Sequence, residues 1–138
     1  MTVSDIEWRE SLPDRCPPDD ASEPAGQTLI RLVVGETPGQ CEFASHTALG
    51  IPCHDDSLLC EWASCSMFLP SYEKHRIKGL LKYRRLKKKT HVAFVQIDKD
   101  SGKVQIKDSK HVDLWMFKSF NPVDNIVKVI GVDQYEPS

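Results

Sequence analysis

The amino-acid sequence predicts a single α+β domain with an antiparallel or mixed sheet of about four to five strands and two or three helices. Three observations support this fold class. Short apolar segments rich in β-branched residues recur between turn-forming residues, two segments carry helix-start signals, and strands and helices do not alternate as they do in parallel sheets. With 138 residues, the chain is long enough to enclose one hydrophobic core of ordinary size.

Residues 1–27 are predicted to form a proline-rich, acidic N-terminal arm, followed by the α+β domain at 28–138. The segment 11–27 holds four of the nine prolines and has few large apolar side chains after Leu12. Proline is excluded from the interiors of regular helices and sheets, so an extended arm is expected. Trp8 is predicted to anchor this arm on the core.

Two strands and one helix are predicted in the first half of the domain. Residues 28–34, TLIRLVV, are apolar and β-branched, which is typical of a buried strand. The Thr-Pro-Gly-Gln sequence at 37–40 has the form of a capping box and predicts a helix over 38–49. Residues 61–69 favour a strand that Pro70 ends.

The second half is predicted to contain a helix over 71–88, then a hairpin and a last strand. Segments 90–97 and 103–107 are alternating and apolar, and the turn DKDSG between them favours a hairpin. Residues 125–132 predict the final strand. The segment 108–120 is expected to be a loop whose aromatic side chains either plug an edge of the core or bind a ligand.

Charge is unevenly distributed along the chain, although the formal net charge is only −2. Residues 1–61 contain twelve acidic and three basic residues, whereas residues 62–138 contain eight acidic and fifteen basic ones. Nine of the eighteen Lys and Arg residues lie in the segment 74–89, KHRIKGLLKYRRLKKK, without an acidic residue among them. Such a concentration of charge can steer an anionic partner to one surface.

If residues 71–88 form one helix, most of these cations lie on a single face, because they recur at spacings of three and four. Lysine and arginine neutralise phosphates, and an aromatic ring among them can stack on an unpaired base. Gly79 interrupts the helical pattern, so a helix that ends there, with KYRRLKKK as a separate turn or loop, is the alternative. The predicted binding residues are Lys74, Lys78, Lys82, Tyr83, Arg85, Lys87, Lys88 and Lys89.

Other interpretations of the basic segment stay open. A solvated, lysine-rich helix face is the simpler interpretation, because charged segments of this kind are common, and YRRLKKK has the density of a nuclear localisation signal. The acidic arm is a possible intramolecular partner. Binding to an anionic membrane surface is disfavoured because the segment lacks a bulky apolar side.

The chain has five Cys residues and no secretory signal at its N-terminus. An odd number of Cys in a chain with no export signal predicts reduced thiols and a cytoplasmic location. Cys41 and Cys65 are predicted to be small core residues. The Cys and His residues between 41 and 65 lack the spacing of structural zinc ligands, so no metal and no cofactor are predicted. No apolar segment approaches the roughly 20 residues that a membrane span requires.

A small enzyme is the alternative to a binding protein, with a site near Arg31, His91 and the 108–120 segment. An ADP-ribosyl-transfer-like site would use Arg31 on an early strand, Ser45 or Ser66, and a late carboxylate. The late glutamate available for that role is Glu136, which lies in the tail.

A Cys/His-based site is the other enzymatic possibility. It would bring Cys65, His91 and the His111/Asp113 pair together, because a catalytic thiolate needs a neighbouring imidazole and a group to orient it. No local sequence signature marks such a site in this chain.

The order of several short motifs resembles that of small uncharacterised bacterial α+β proteins. These motifs are Trp8-Arg9, Cys16-Pro17-Pro18, the strand Leu29 to Val33, Ser45-His46, the segment Cys60 to Phe68 and His111 to Trp115. The resemblance spans most of the chain and implies no activity.

Taken together, the sequence predicts a non-enzymatic module that binds a polyanion or another protein through residues 74–89. The expected partner is nucleic acid or an acidic protein surface, with no membrane involved.

Overall fold

The computed structural model describes residues 6–138, which fold around one six-stranded antiparallel sheet of order β4-β5-β2-β1-β3-β6. Two short helices, α1 (Leu59–Trp62) and α2 (Lys74–Leu80), accompany the sheet. Neither these nor any other helix in residues 6–138 has the length and apolarity to cross a bilayer. The strands are β1 (Thr28–Val33), β2 (Cys65–Phe68), β3 (His91–Gln96), β4 (Gly102–Ile106), β5 (His111–Met116) and β6 (Ile126–Gly131).

The predicted fold class is therefore wrong in its details, although a sheet accompanied by helices was expected. The sheet has six strands rather than four or five, every pair of neighbours is antiparallel, and the helices span only four and seven residues. The predictions of strands at 28–34 and 125–132 are confirmed by β1 and β6. The strand predicted at 61–69 is shorter, because α1 occupies its first residues.

The predicted helix over 38–49 is wrong. Only a short 3₁₀ turn forms, at Gln40–Phe43. The backbone carbonyls of Glu42 and Ala44, which a helix would use internally, instead accept hydrogen bonds from the Arg31 side chain. Tertiary hydrogen bonds have thus replaced helical ones in a segment too short to be a stable helix by itself.

The predicted helix over 71–88 is also wrong in its extent, because α2 ends at Leu80. The chain then continues through consecutive tight turns to Lys89. This agrees with the alternative prediction, in which the helix ends near Gly79 and KYRRLKKK forms a separate turn or loop. Glycine weakens a helix, and further helical turns would stack like charges four residues apart. The continuous cationic helix face is therefore not formed.

The two strands of the predicted hairpin exist as β3 and β4, but they do not pair with each other. Three strands separate them in the sheet. Four strand spacings amount to about 19 Å. The five connecting residues span at most about 20 Å between Gln96 and Gly102 when fully extended, which is nearly the same distance. This connection contains a tight turn at residues 98–101, so the sheet must curl strongly to bring β3 and β4 near each other.

The segment 108–120 contains the strand β5 at its centre and is not a continuous loop, which corrects the prediction. β5 pairs with both β2 and β4 and is therefore an interior strand. The Trp115 side chain is 1% exposed and its Nε1 donates to the Cys60 carbonyl at 2.9 Å. Phe120 is also buried. These aromatic side chains fill the core.

Alternation along the strands divides the buried side chains between two hydrophobic clusters, one on each face of the sheet. The larger cluster lies inside the curved sheet and includes Leu29, Met67, Val95, Leu114 and Phe120. The second lies on the face covered by α2 and the C-terminal segment, and includes Ile30, Leu32, Tyr72, Ile77 and Tyr135.

The described part of the N-terminal arm, residues 6–27, runs beside β4 and β5. Ser22 forms a β-bridge with Val104, and Glu23 lies 3.8 Å from Lys103 in an ion pair. Trp8 forms a bridge with Phe117 and packs on its ring, as expected of an anchor. The acidic arm thus contacts the β4 side of the sheet and forms no ion pair with residues 74–89 in the described chain.

A disulfide joins Cys16 of the arm to Cys60 of α1, so the prediction that all thiols are reduced is wrong for this pair. It closes a loop across 44 residues and ties the arm to the sheet. Cys65 is buried as predicted, whereas Cys41, the other predicted core residue, is exposed. Odd cysteine counts are compatible with a single disulfide, which sequence spacing does not reveal.

Replacing Glu73 with Gln is expected to flatten the loss of stability in acid. Hydrogen bonds from Lys110 and Arg76 lower the pKa of Glu73 to about 2 from its usual 4.5. The charged form is therefore favoured by folding, and its contribution is lost as the pH falls from about 4.5 through about 2. Urea unfolding at a series of pH values measures the effect. The control is Asp108→Asn at an exposed position. If Glu73→Gln loses as much stability in acid as the parent protein does, the prediction is contradicted.

Two glycine substitutions are expected to have opposite effects on stability. Gly79→Ala should stabilise the fold by about 0.5–1 kcal/mol, because Ala is the better helix former and an added Cβ would meet nothing within 4 Å. Gly102→Ala should be strongly destabilising, because its Cβ would lie 2.0 Å from the Trp115 carbonyl oxygen. Thermal or urea unfolding checks both; a stable Gly102→Ala protein would contradict the observed pairing of β4 with β5.

Candidate anion-binding cleft

A cleft of about 490 Å³ lies between the second face of the sheet and the basic segment 74–89. Its volume falls within the range of pockets that hold small organic ligands. The polar and charged residues that line it come from five separate parts of the chain, and they include Arg31, His46, Ser66, Arg76, Arg85, Lys89 and His111.

Arg31 forms the floor of the cleft at the point where β1 and β2 separate. These two strands pair at a single position, Ile30 with Phe68. Beyond that position the Arg31 guanidinium donates to the carbonyl of Ser66 at 2.6 Å and to that of Glu42 at 2.7 Å, with a longer bond to Ala44 at 3.4 Å. The side chain therefore satisfies backbone groups that strand pairing leaves unbonded.

The charges around the cleft are not balanced. None of its lining residues is Asp or Glu. Lys89 is paired with Glu42 at 2.6 Å and Arg76 with Glu73 at 3.0 Å. Arg31 and Arg85, by contrast, have no carboxylate within 4.0 Å in the part of the chain that the structure describes. Carbonyl groups satisfy hydrogen bonds without cancelling charge, so the cleft carries a positive potential.

His46 lies on the wall of the cleft formed by the 44–51 segment. Its ring stacks on Trp62 with a centroid distance of 4.3 Å, and the Arg85 guanidinium lies 5.8 Å from the same Trp62 ring. Burial, followed by the charges of Arg85 and Arg31, lowers the pKa of His46 below its usual value. Burial is thus the main cause of the lowered pKa of His46, and the unbalanced charges of Arg85 and Arg31 lower it further.

His111, on β5, also lines the cleft. Its Nδ1 is 3.5 Å from Oδ1 of Asp113, a buried carboxylate that also accepts a hydrogen bond from Ser64 and lies 3.3 Å from Lys107. Burial lowers the pKa of His111, and the nearby Asp113 opposes this effect.

An apolar wall completes the cleft. The rings of Phe68 and Tyr72 pack together with centroids 4.4 Å apart, and Leu32, Leu80 and Leu86 extend the same surface. Cations and aromatic rings are neighbours in this lining, since the Arg76 guanidinium lies 4.3 Å from the centroid of the Tyr72 ring. This combination is suited to an organic anion rather than to a bare ion.

The predicted binding residues separate into three groups. Arg85 and Lys89 line the cleft. Lys74 is engaged with the Asp133 carbonyl and with Glu136. The others are exposed on the outer side of the basic segment: Lys78, Lys82, Tyr83, Lys87 and Lys88.

The residues proposed for an enzymatic site are only partly brought together. Arg31, Ser66 and His111 line the same cleft, whereas His91 lies in a separate shallow depression. Cys65 is fully buried within the core cluster inside the curved sheet, where burial raises the pKa of its thiol.

The late carboxylate that an ADP-ribosyl-transfer-like site would need is absent from the cleft, because Glu136 pairs with Lys74 outside it. The other candidate serine for that site, Ser45, is buried and donates a hydrogen bond to Glu10. The Cys/His arrangement is likewise not assembled.

Sequence reasoning missed His46 and Arg76 as cleft residues. Their only sequence signal was proximity to other cations or aromatic residues, which does not specify a shared cavity. Within residues 6–138, no group of three or more His, Cys, Asp and Glu side chains is arranged to hold a metal ion.

No known protein family, curated protein or solved structure matches the chain. The cleft must therefore be interpreted from its own chemistry.

Replacing Arg85 with Met is expected to raise the pKa of His46 toward its usual value, because removing a nearby positive charge favours protonation of the imidazole. Burial is the larger cause of the lowered pKa, so the return should be partial. NMR titration of the His46 ring protons measures it. Lys88→Met, which removes an exposed charge outside the cleft lining, is the matched control. An unshifted His46 titration would show that Arg85 does not face the cleft.

Proposed function

We propose that this chain binds a polyanion through the outer surface of the basic segment, and that nucleic acid is the favoured partner. One observation carries the proposal. Five of the nine cations in residues 74–89 lie outside the cleft lining and have no carboxylate within 4.0 Å in the described chain: Lys78, Lys82, Arg84, Lys87 and Lys88. Clustered cations without internal partners release counterions when they meet phosphates, which favours binding.

The position of the acidic arm supports an open surface. Among its carboxylates, Glu7 pairs with Lys118 and Glu23 with Lys103, while Glu10 accepts hydrogen bonds from Ser45. These contacts hold the arm's acidic groups away from residues 74–89. The basic segment is therefore accessible to a separate partner.

Tyr83 favours nucleic acid over an acidic protein surface. Its side chain is 65% exposed among the cations of the turn region, where a ring has no packing role. An exposed aromatic ring beside Lys and Arg can stack on a base of a single strand, with a contribution of about 1–3 kcal/mol per base. An acidic protein surface would use the charges but gain less from the ring.

Binding to single-stranded RNA or DNA is expected to weaken steeply as salt rises from about 50 to about 200 mM, because bound cations displace counterions. The variant Lys82→Gln/Lys87→Gln/Lys88→Gln should bind much more weakly and show a shallower salt dependence. The matched control replaces three exposed lysines elsewhere, Lys99, Lys118 and Lys128, and should bind nearly as well as the parent. Fluorescence anisotropy with labelled oligonucleotides measures both.

Three outcomes would count against the proposal. Equal losses in the two triple variants would indicate a nonspecific effect of net charge. If neither RNA nor DNA binds at low salt, polyanion binding by this chain is excluded. Binding to poly-glutamate that is as strong as binding to RNA, and unchanged by Tyr83→Ala, would identify an acidic protein surface as the partner instead.

A further inference from the structure

We propose that the cleft beneath the basic segment is a separate binding site for an organic phosphate of nucleotide size, a nucleoside monophosphate either free or at the end of a strand. This site differs from the outer surface of the proposed function in its depth and in its lining. Only one source of the phosphate, the terminal phosphate of a nucleic-acid strand, rests on that proposed function.

The first argument is charge. Arg31 and Arg85 have no carboxylate partner in the described chain, and no acidic residue lines the cleft. A phosphate monoester carries about −1.5 to −2 charges near neutral pH. A single group of this kind can balance two guanidinium charges at once, which a monocarboxylate cannot.

The second argument concerns hydrogen-bond donors. A guanidinium has five N–H donors, and Arg31 uses three of them on backbone carbonyls. Two remain for a ligand, and Arg85 makes no side-chain hydrogen bond within residues 6–138. Arginine suits phosphate because its planar fork contacts two oxygens together. His46 and His111 add two imidazole groups to the lining.

The third argument is the apolar wall. Phe68, Tyr72, Leu80 and Leu86 offer a surface that inorganic phosphate cannot use. An aromatic base gains from contact with aromatic rings and with leucine side chains. The cavity of about 490 Å³ leaves room for a ring system in addition to the phosphate. A phosphate ester with a planar body therefore matches both the cations and the apolar residues of the lining.

The experiment titrates the full chain at low salt with UMP, AMP, uridine and inorganic phosphate, using calorimetry or protein-observed NMR. UMP or AMP should bind at least about tenfold more tightly than uridine or phosphate alone, because only the ester engages both the cations and the apolar residues of the cleft. Comparable binding of uridine and UMP would overturn the proposal. The proposal is also overturned if UMP, AMP and a 5′-phosphorylated oligonucleotide all fail to bind.

Variants at the rim of the cleft test its location. Arg31 also joins β1 and β2, so its substitution would affect folding and binding together. Arg85→Met removes an exposed guanidinium, and Leu49→Asp places a negative charge at a rim position that is 55% exposed. Each should weaken UMP binding at least about tenfold, whereas the uncharged control Leu49→Asn should not. Unchanged affinity in both rim variants would refute the site.

Two further measurements are needed. The first distinguishes a free mononucleotide from a strand-end phosphate, and the second distinguishes the cleft from the outer surface of the basic segment. Tighter binding of a 5′-phosphorylated oligonucleotide than of its 5′-hydroxyl form, without binding of UMP, would assign the cleft to strand ends. The Lys82/Lys87/Lys88→Gln variant should lose polynucleotide binding and keep UMP binding, because these lysines lie outside the cleft lining. Loss of both in that variant would show that the cleft is not a separate site.

Discussion

The hydrogen bonds of the Arg31 guanidinium connect two halves of the sheet that are otherwise joined by one pair of residues. One half consists of β4, β5 and β2, the other of β1, β3 and β6, and Ile30 with Phe68 is the single paired position between them. Arg31 extends from β1 across the remaining gap and donates to the Ser66 carbonyl of β2, and it also donates to the Glu42 carbonyl of the 3₁₀ turn. The separation of β1 from β2 creates the cleft, and the same side chain that bridges this separation gives the cleft its charge.

The chemistry of the cleft follows from the acceptors that Arg31 uses. A carboxylate partner would have cancelled its charge, as Glu42 does for Lys89. Backbone carbonyls instead satisfy three donors and leave the charge in place. The Cys16–Cys60 disulfide and the contacts of the arm lie on the β4 side of the sheet, so they support the sheet without covering the basic segment. The structural cation Arg31 thus lies next to the uncovered basic segment 74–89.

The strands that could be predicted from the sequence are those whose own residues are mostly apolar. Segments such as 28–34 and 90–97 are strands because β-branched residues dominate them. The strand β5 was missed because His111 and Asp113 interrupt its apolar pattern, although sheet neighbours on both sides hold it in place. The helix predicted over 38–49 was lost to hydrogen bonds from a residue outside that segment. Pairing of β3 with β1 rather than with β4 depended on contacts distant in sequence.

For the candidate site, the sequence alone determined that positive charge is concentrated in residues 74–89 and that Gly79 weakens the helix there. Both properties are local, because charge density and helix propensity belong to consecutive residues. Only the tertiary structure decided that Arg85 and Lys89 face a cleft with Arg31, His46 and His111, and that the acidic arm lies elsewhere. These outcomes depend on which distant segments the curled sheet brings together, and no spacing along the chain encodes that geometry.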